Sequence, residues 1–152
     1  MTLNPFTHIN SQGEIFTLYA NYDFSPEPIY YFSKTVKEGA CRIPEDKKVI
    51  ENPKTKVPFL MDIPKSLEEV NEEISININL IAEAKDYLKP LENGISAIKE
   101  DILNQTELTS KYDLENLLKE ALLSKADKEL DVQIAEIKLK ELFKIFDDFN
   151  AK

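Results

Sequence analysis

The chain of 152 residues has one cysteine, one histidine, no tryptophan and three glycines. Each shortage closes off a kind of chemistry. Cys41 alone cannot form an internal disulfide and fits a reducing compartment. One Cys and one His cannot make a zinc site, so no metal is expected. Gly13, Gly39 and Gly94 lie too far apart to build a phosphate-cradling loop. Cys41 and His8 are the only available thiol–imidazole pair, and a cysteine within GACRIPE reads as buried or incidental. Acidic pairs such as Glu68-Glu69, Glu72-Glu73 and Asp147-Asp148 are frequent enough to read as a solvated face. No catalytic residue and no cofactor is expected, and the chain is not read as an enzyme. It has no apolar run of about 18 residues, so no membrane helix is expected. The opening MTLNPFTHIN lacks the basic start and apolar stretch of a signal peptide.

What is present divides at residue 64. Residues 1–64 carry 7 basic and 8 acidic side chains, a balance of −1, while 65–152 carry 12 and 20, a balance of −8. An acidic helical half repels phosphate, so no nucleic acid partner is expected there. The lysine-rich stretch 34–56 reads as a solvated strand edge, where lysines also deter unwanted pairing. Seven of the eight prolines and nine of the fourteen Phe and Tyr residues fall before residue 65, which marks a change of fold grammar.

In EIFTLYANY, residues 14–22, Phe16, Leu18 and Ala20 alternate with Thr17, Tyr19 and Asn21, the period of a strand. IYYFSKTV, residues 29–36, is aromatic and β-branched and predicts a second strand. KKVIENPKTKVPFLM predicts a hairpin turning at Asn52-Pro53-Lys54-Thr55, with Pro58 confining the returning strand to an edge. Residues 1–64 therefore read as a small antiparallel β domain. So short a domain buries little core alone and has to lean on the tail or on a partner.

From Ser66 the period changes. Ser66 with Glu69 forms a capping box. Leu67, Ile74, Ile81, Leu88, Ile95 and Ile102 then recur every seventh residue, with Val70, Asn77, Ala84, Leu91 and Ile98 three places after the first five. That is an a/d seam sustained long enough to predict a coiled coil. Pro90 and Asn93-Gly94 predict a kink or break, with the surviving phase favouring a kink. Asn77 either sits in the seam and sets register, or is solvated while Ile76 and Ile78 turn inward. A second capping box, Ser110 with Asp113, opens a face of Leu114, Leu117, Leu118, Ala121 and Leu122. Ser124 with Asp127 either starts a further helix or lies within a longer one. Val132, Ala135, Leu139, Leu142, Phe146 and Phe149 keep the 3/4 spacing, and Leu130, Ile134 and Ile137 widen the face. The short connector NQTELT allows an antiparallel hairpin, and pairing between chains stays open. The class is α+β: a small antiparallel β domain over 1–64, then long coiled-coil-like helices over 65–152.

Three pieces of the chain resemble the phage tail fibre assembly (Tfa-like) chaperones. YYFSK at 30–34 followed by IPEDKKVI at 43–50 is similar to the family's opening strand and its Ile-Pro segment. In KVPFLMDIPKSLEE, Pro58, Leu60, Asp62, Pro64, Ser66, Glu68 and Glu69 follow the family's hinge in order. In LIAEAKDYLKPLENGI, the family's helix pattern is met by Ala82, Glu83, Ala84, Pro90, Leu91, Glu92, Asn93 and Gly94. The resemblance covers roughly 30–95. The chain departs from it in lacking a tryptophan, in its long acidic region 105–152, and in replacing a hinge glycine by Lys56-Val57.

The resemblance implies a factor that binds the distal, C-terminal region of a trimeric tail fibre and helps its chains find register. It implies a place in the cytoplasm of a bacterial host, or retention on the fibre tip. Tyr30, Tyr31, Phe32, Pro58 and Phe59 are the candidate partner contacts; since three consecutive aromatics cannot share one strand face, one of the trio is left for a partner unless both faces are core. Leu67, Val70, Ile74, Asn77, Ile81, Ala84, Leu88 and Leu91 are the candidate helix seam, with homo-oligomerisation through the helices expected. Two rival readings act equally through protein binding. An acidic phage-encoded inhibitor would explain the charge, but lysines are interspersed and no acidic block exceeds two residues. A coiled-coil virion adaptor is the other.

Overall fold

A computed structural model describes residues 5–23, 25–105 and 107–151, except the side chain of residue 109. Among them the chain forms β1 (Thr7–Ile9), β2 (Ile15–Asn21), β3 (Ile29–Ser33), β4 (Lys47–Glu51), β5 (Pro58–Asp62), α1 (Leu67–Asn104) and α2 (Leu108–Asn150). This is an α+β chain with an antiparallel β region ahead of two long helices. It divides into two compact units, Met1–Glu73 with Lys140–Lys152, and Ile74–Leu139.

In the first unit β1, β2 and β3 form one antiparallel sheet, with β2 central, and β4 and β5 form another. The β2–β3 register sets Leu18 opposite Phe32 and Tyr19 opposite Tyr31. β1 sets His8 opposite Phe16 and Ile9 opposite Ile15. The short β1 was not expected from a segment read only as polar; its Phe6-Thr7-His8-Ile9 alternation was the available signal. Asn10 makes the β1–β2 turn: its Oδ1 accepts from the amides of Gln12 at 3.0 Å and Glu14 at 2.8 Å. Gly13 there has a φ of 80°, which glycine adopts without a Cβ penalty. β3 stops at Ser33, short of the expected Val36, because the Ser33 hydroxyl accepts the Thr35 amide at 3.1 Å and turns the chain.

The β4–β5 hairpin turns where expected. Asn52 Oδ1 accepts from the amides of Lys54 at 2.9 Å and Thr55 at 3.1 Å. Lys56 closes the turn with a φ of 64°, and its carbonyl accepts from Asn10 Nδ2 at 3.0 Å. A non-glycine residue held in that region carries strain, here fixed by buried Asn10 of the β1–β2 turn. The unit's core is Phe16, Leu18, Tyr19, Ile50 and Met61, joined by Val70 of α1 and by Leu142 and Ile145 of α2. A small β domain thus gains core from helical residues distant in sequence, which offsets the poor burial available to so short a segment.

The end of α2 also makes a polar link to this domain, from Glu141 to Lys48 of β4. The Lys48 ammonium, hydrogen-bonded to it, holds the Glu141 carboxyl below its ordinary value, with Lys144 adding to the effect. A depressed carboxylate stabilises the fold above the unfolded value of 4.5 and loses that contribution as pH falls through the folded value. We therefore expect Glu141→Gln to cost about 1–2 kcal/mol at neutral pH in urea denaturation, as a charge-assisted bond is replaced. The gap from the native protein should close below pH 4.5, and a gap unchanged at acid pH would refute the coupling.

α1 opens as its capping box predicts. The Ser66 hydroxyl accepts the Glu69 amide at 3.1 Å, and the Glu69 carboxylate reaches back to the Lys65 amide at 2.9 Å. The helix then runs unbroken through Pro90, Asn93 and Gly94. Exposure explains the absence of a break: all three lie outside, while Leu88, Leu91 and Ile95 stay inward on either side. Proline's missing donor then frees a carbonyl that water can satisfy.

α2 begins at Leu108, ahead of the expected Ser110–Asp113 cap. Glu107 already accepts the first helical bond, its carbonyl taking the Lys111 amide at 3.0 Å. Ser110 lies inside the helix and donates to the Glu107 carboxylate at 3.3 Å. Ser124 and Asp127 lie within the same helix. Residues 105–107 connect α1 and α2, and Thr106 in the expected NQTELT connector lies outside the described residues.

In the second unit the inward positions of α1 are Ile74, Asn77, Ile81, Ala84, Leu88, Leu91, Ile95, Ile98 and Ile102, alternating steps of three and four. On α2 the same spacing runs from Leu114 and Leu118 through Ala121 and Lys125 to Val132, Ala135 and Leu139. Glu92 lies 3.9 Å from Lys125, and the Lys128 ammonium lies 5.1 Å from the Tyr87 ring centre. Rising numbers on one helix meet falling numbers on the other, so this part is an antiparallel hairpin within one chain. Asn77 is buried and Ile76 and Ile78 are exposed, which selects the seam placement of Asn77.

Candidate protein-binding surface

Strand alternation gives the three-stranded sheet two unlike faces. Phe16 and Leu18 point into the core, and Phe32 joins them, its ring edge-on to Phe6 at 6.2 Å. The opposite face carries Ile9, Ile15, Ile29 and Tyr31, at 65, 60, 55 and 36% exposure. Ile9 and Ile15 are direct cross-strand partners, so they form one continuous apolar spot. Tyr19 shares this face and is only 1% exposed beneath Tyr31, so the exposed apolar side chains are the Ile9–Ile15 pair at one end, Ile29 at the other and Tyr31 between them.

Tyr31 is held rather than loose. Its ring stacks on buried Tyr19 at 5.5 Å, and the Lys37 ammonium lies 5.2 Å from its centre and 5.8 Å from that of Tyr19. The Tyr19 hydroxyl donates to the Thr35 carbonyl at 2.9 Å and accepts the Lys37 amide at 3.2 Å, pinning the segment after β3 to the sheet. A rigid aromatic presents contact area at little entropic cost. Lys34 pairs with Glu14 at 2.7 Å nearby, which holds the Glu14 carboxyl below its ordinary value.

Of the other candidate contacts, Tyr30 is half-buried, and that burial pushes its hydroxyl pKa up. Phe32 and Phe59 are half-buried and Pro58 is buried, so none of them matches Tyr31 in reach. The sequence reading missed Ile9, Ile15 and Ile29, because which face of a strand is covered is decided by elements far along the chain. Leu67 is exposed and Val70 lies in the core of the first unit. The remaining seam candidates, Ile74, Asn77, Ile81, Ala84, Leu88 and Leu91, turn toward the chain's own second helix.

Glu51 accepts from the Ser11 amide at 2.9 Å and the Ser11 hydroxyl at 2.8 Å, so that hydroxyl points away from His8. His8 Nε2 lies 3.7 Å from Glu51, beyond hydrogen-bonding range. Burial pushes the Cys41 thiol up, away from a reactive thiolate. Among the described residues no three His, Cys, Asp or Glu side chains come together to hold a metal ion, and no helix is long and apolar enough to cross a membrane. No family model, curated protein or solved structure matches the chain.

Proposed function

We propose that this protein is a non-enzymatic binding factor that shields β-structured surface on a partner, the partner being the C-terminal tip of a trimeric phage tail fibre. The observation that carries the binding reading is the exposed Ile9–Ile15 pair, with Ile29 and Tyr31 further along the same side of the sheet. The fibre assignment rests on the resemblance to the tail fibre assembly chaperones. One structural detail sits well with it: Lys56, in the stretch where that family has glycine, takes a φ of 64° that suits glycine. Fibres of intertwined β-chains fold slowly through distant pairings and expose apolar strands meanwhile. A small rigid sheet covering such strands, on a soluble acidic helical body, limits aggregation until the trimer closes. On this reading the protein works in the host cytoplasm or stays at the fibre tip.

The test is affinity capture of a tagged copy from cells producing the phage or prophage, with the recovered proteins identified by mass spectrometry. A fibre polypeptide is expected, and it should be lost when its C-terminal segment is deleted. Ile15→Asp with Tyr31→Asp should lower recovery at least about tenfold, since each places a charge in the contact. Capture of a host nuclease or polymerase with no fibre would overturn the assignment and promote an acidic inhibitor.

A further inference from the structure

The hairpin unit carries a second apolar surface. Ala84 of the α1 stripe and Ala135 of the α2 stripe are both buried, and side chains of this size leave the space beside them unfilled. A groove of about 490 Å³ opens there between α1 and α2, with Asn77 also in its lining. Its α1 wall is Leu80, Glu83 and Tyr87; its α2 wall is Lys128, Asp131, Ile134 and Lys138. Leu80 and Tyr87 stand one heptad apart, outside the inward stripe, at 51 and 49% exposure. Ile76, one turn before Leu80, extends the apolar row on that flank.

The two walls differ in sign. Glu83 is the single charge on the α1 wall, and the α2 wall bears two lysines around one aspartate. We propose that this groove is a self-association face, occupied by the same groove of a second copy. A two-fold axis parallel to the hairpin lays the α1 wall of one copy over the α2 wall of the other. Every neighbouring helix pair is then antiparallel, and each Glu83 comes over a wall bearing Lys128 and Lys138. Leu80 and Tyr87 of one copy meet Ile134 of the other. A patch of this length suits a reversible rather than an obligate dimer, with a Kd on the order of 10 µM. Self-association is measured on the protein alone, so this inference stands apart from the fibre assignment.

Sedimentation equilibrium of the full chain between about 1 and 300 µM brackets that affinity. A monomer–dimer equilibrium is expected. Leu80→Lys should weaken it at least about tenfold with helicity and thermal midpoint unchanged, because the residue is half exposed. Glu83→Lys should weaken it too, and adding Lys138→Glu should restore it with the thermal midpoint of both variants unchanged, which separates a contact between copies from one across the groove within a copy. These charge variants decide the matter should Leu80→Lys disturb the helix. A monomer throughout the range would overturn the proposal, as would a dimer indifferent to Leu80→Lys or a reversal without rescue.

Discussion

Leu142→Ala is expected to cost about 2–5 kcal/mol, the range for removing a fully buried leucine side chain. Leu142 is 1% exposed and belongs to the compact unit that holds the β region, although it sits eighty residues beyond β5. The loss should therefore be read in the β region itself. Urea denaturation followed by tyrosine fluorescence reports it, because Tyr19, Tyr22, Tyr30 and Tyr31 all lie in that unit. Phe143, the next residue, is half exposed, so Phe143→Ala should fall within about 0.5 kcal/mol of the native protein. Equal effects at the two positions would mean that the last turns of α2 do not belong to the β core.

The second large effect has the opposite sign. Pro90 lies inside α1 with its side chain exposed, so replacing it removes little packing and restores a backbone donor. Pro90→Ala should stabilise the hairpin unit by about 1–3 kcal/mol, the upper figure being the full propensity difference in a helix interior. Gly94 is also helical, and a Cβ added there meets nothing within 4 Å. Gly94→Ala should add roughly 0.5–1 kcal/mol. Thermal unfolding monitored by circular dichroism measures both changes. A lowered midpoint for Pro90→Ala would show that the hairpin depends on a local irregularity at that turn.

A tolerated proline in mid-helix also shows how sequence signals are weighed against one another. Propensity at one residue argues for a break, whereas ten apolar positions in heptad phase argue for continuity, and Leu91 and Ile95 would lose their burial if the helix stopped. Packing of a whole face outweighs one missing hydrogen bond. The same reasoning covers Asn77, whose place in the seam follows from the phase of its neighbours even though Ile76 and Ile78 are the more apolar residues.

Local periodicity and turn chemistry, which act between near neighbours, were legible in the chain alone. They determined the strand period over residues 14–22, the turn at Asn52, the cap at Ser66 and the inward stripe from Val70 to Ile102. They also placed Val132, Ala135, Leu139 and Leu142 inward on the second helix. Three features needed the tertiary structure. The return of residues 140–152 to the β region depends on contacts between segments far apart in sequence, which no local pattern encodes. The exposure of Ile9, Ile15, Ile29 and Tyr31 depends on which parts of the sheet other segments cover, and alternation alone is symmetric between the two sides. The groove lined by Ala84 and Ala135 depends on which positions of the two helices fall level with each other, and that is set by helix register rather than by either sequence segment.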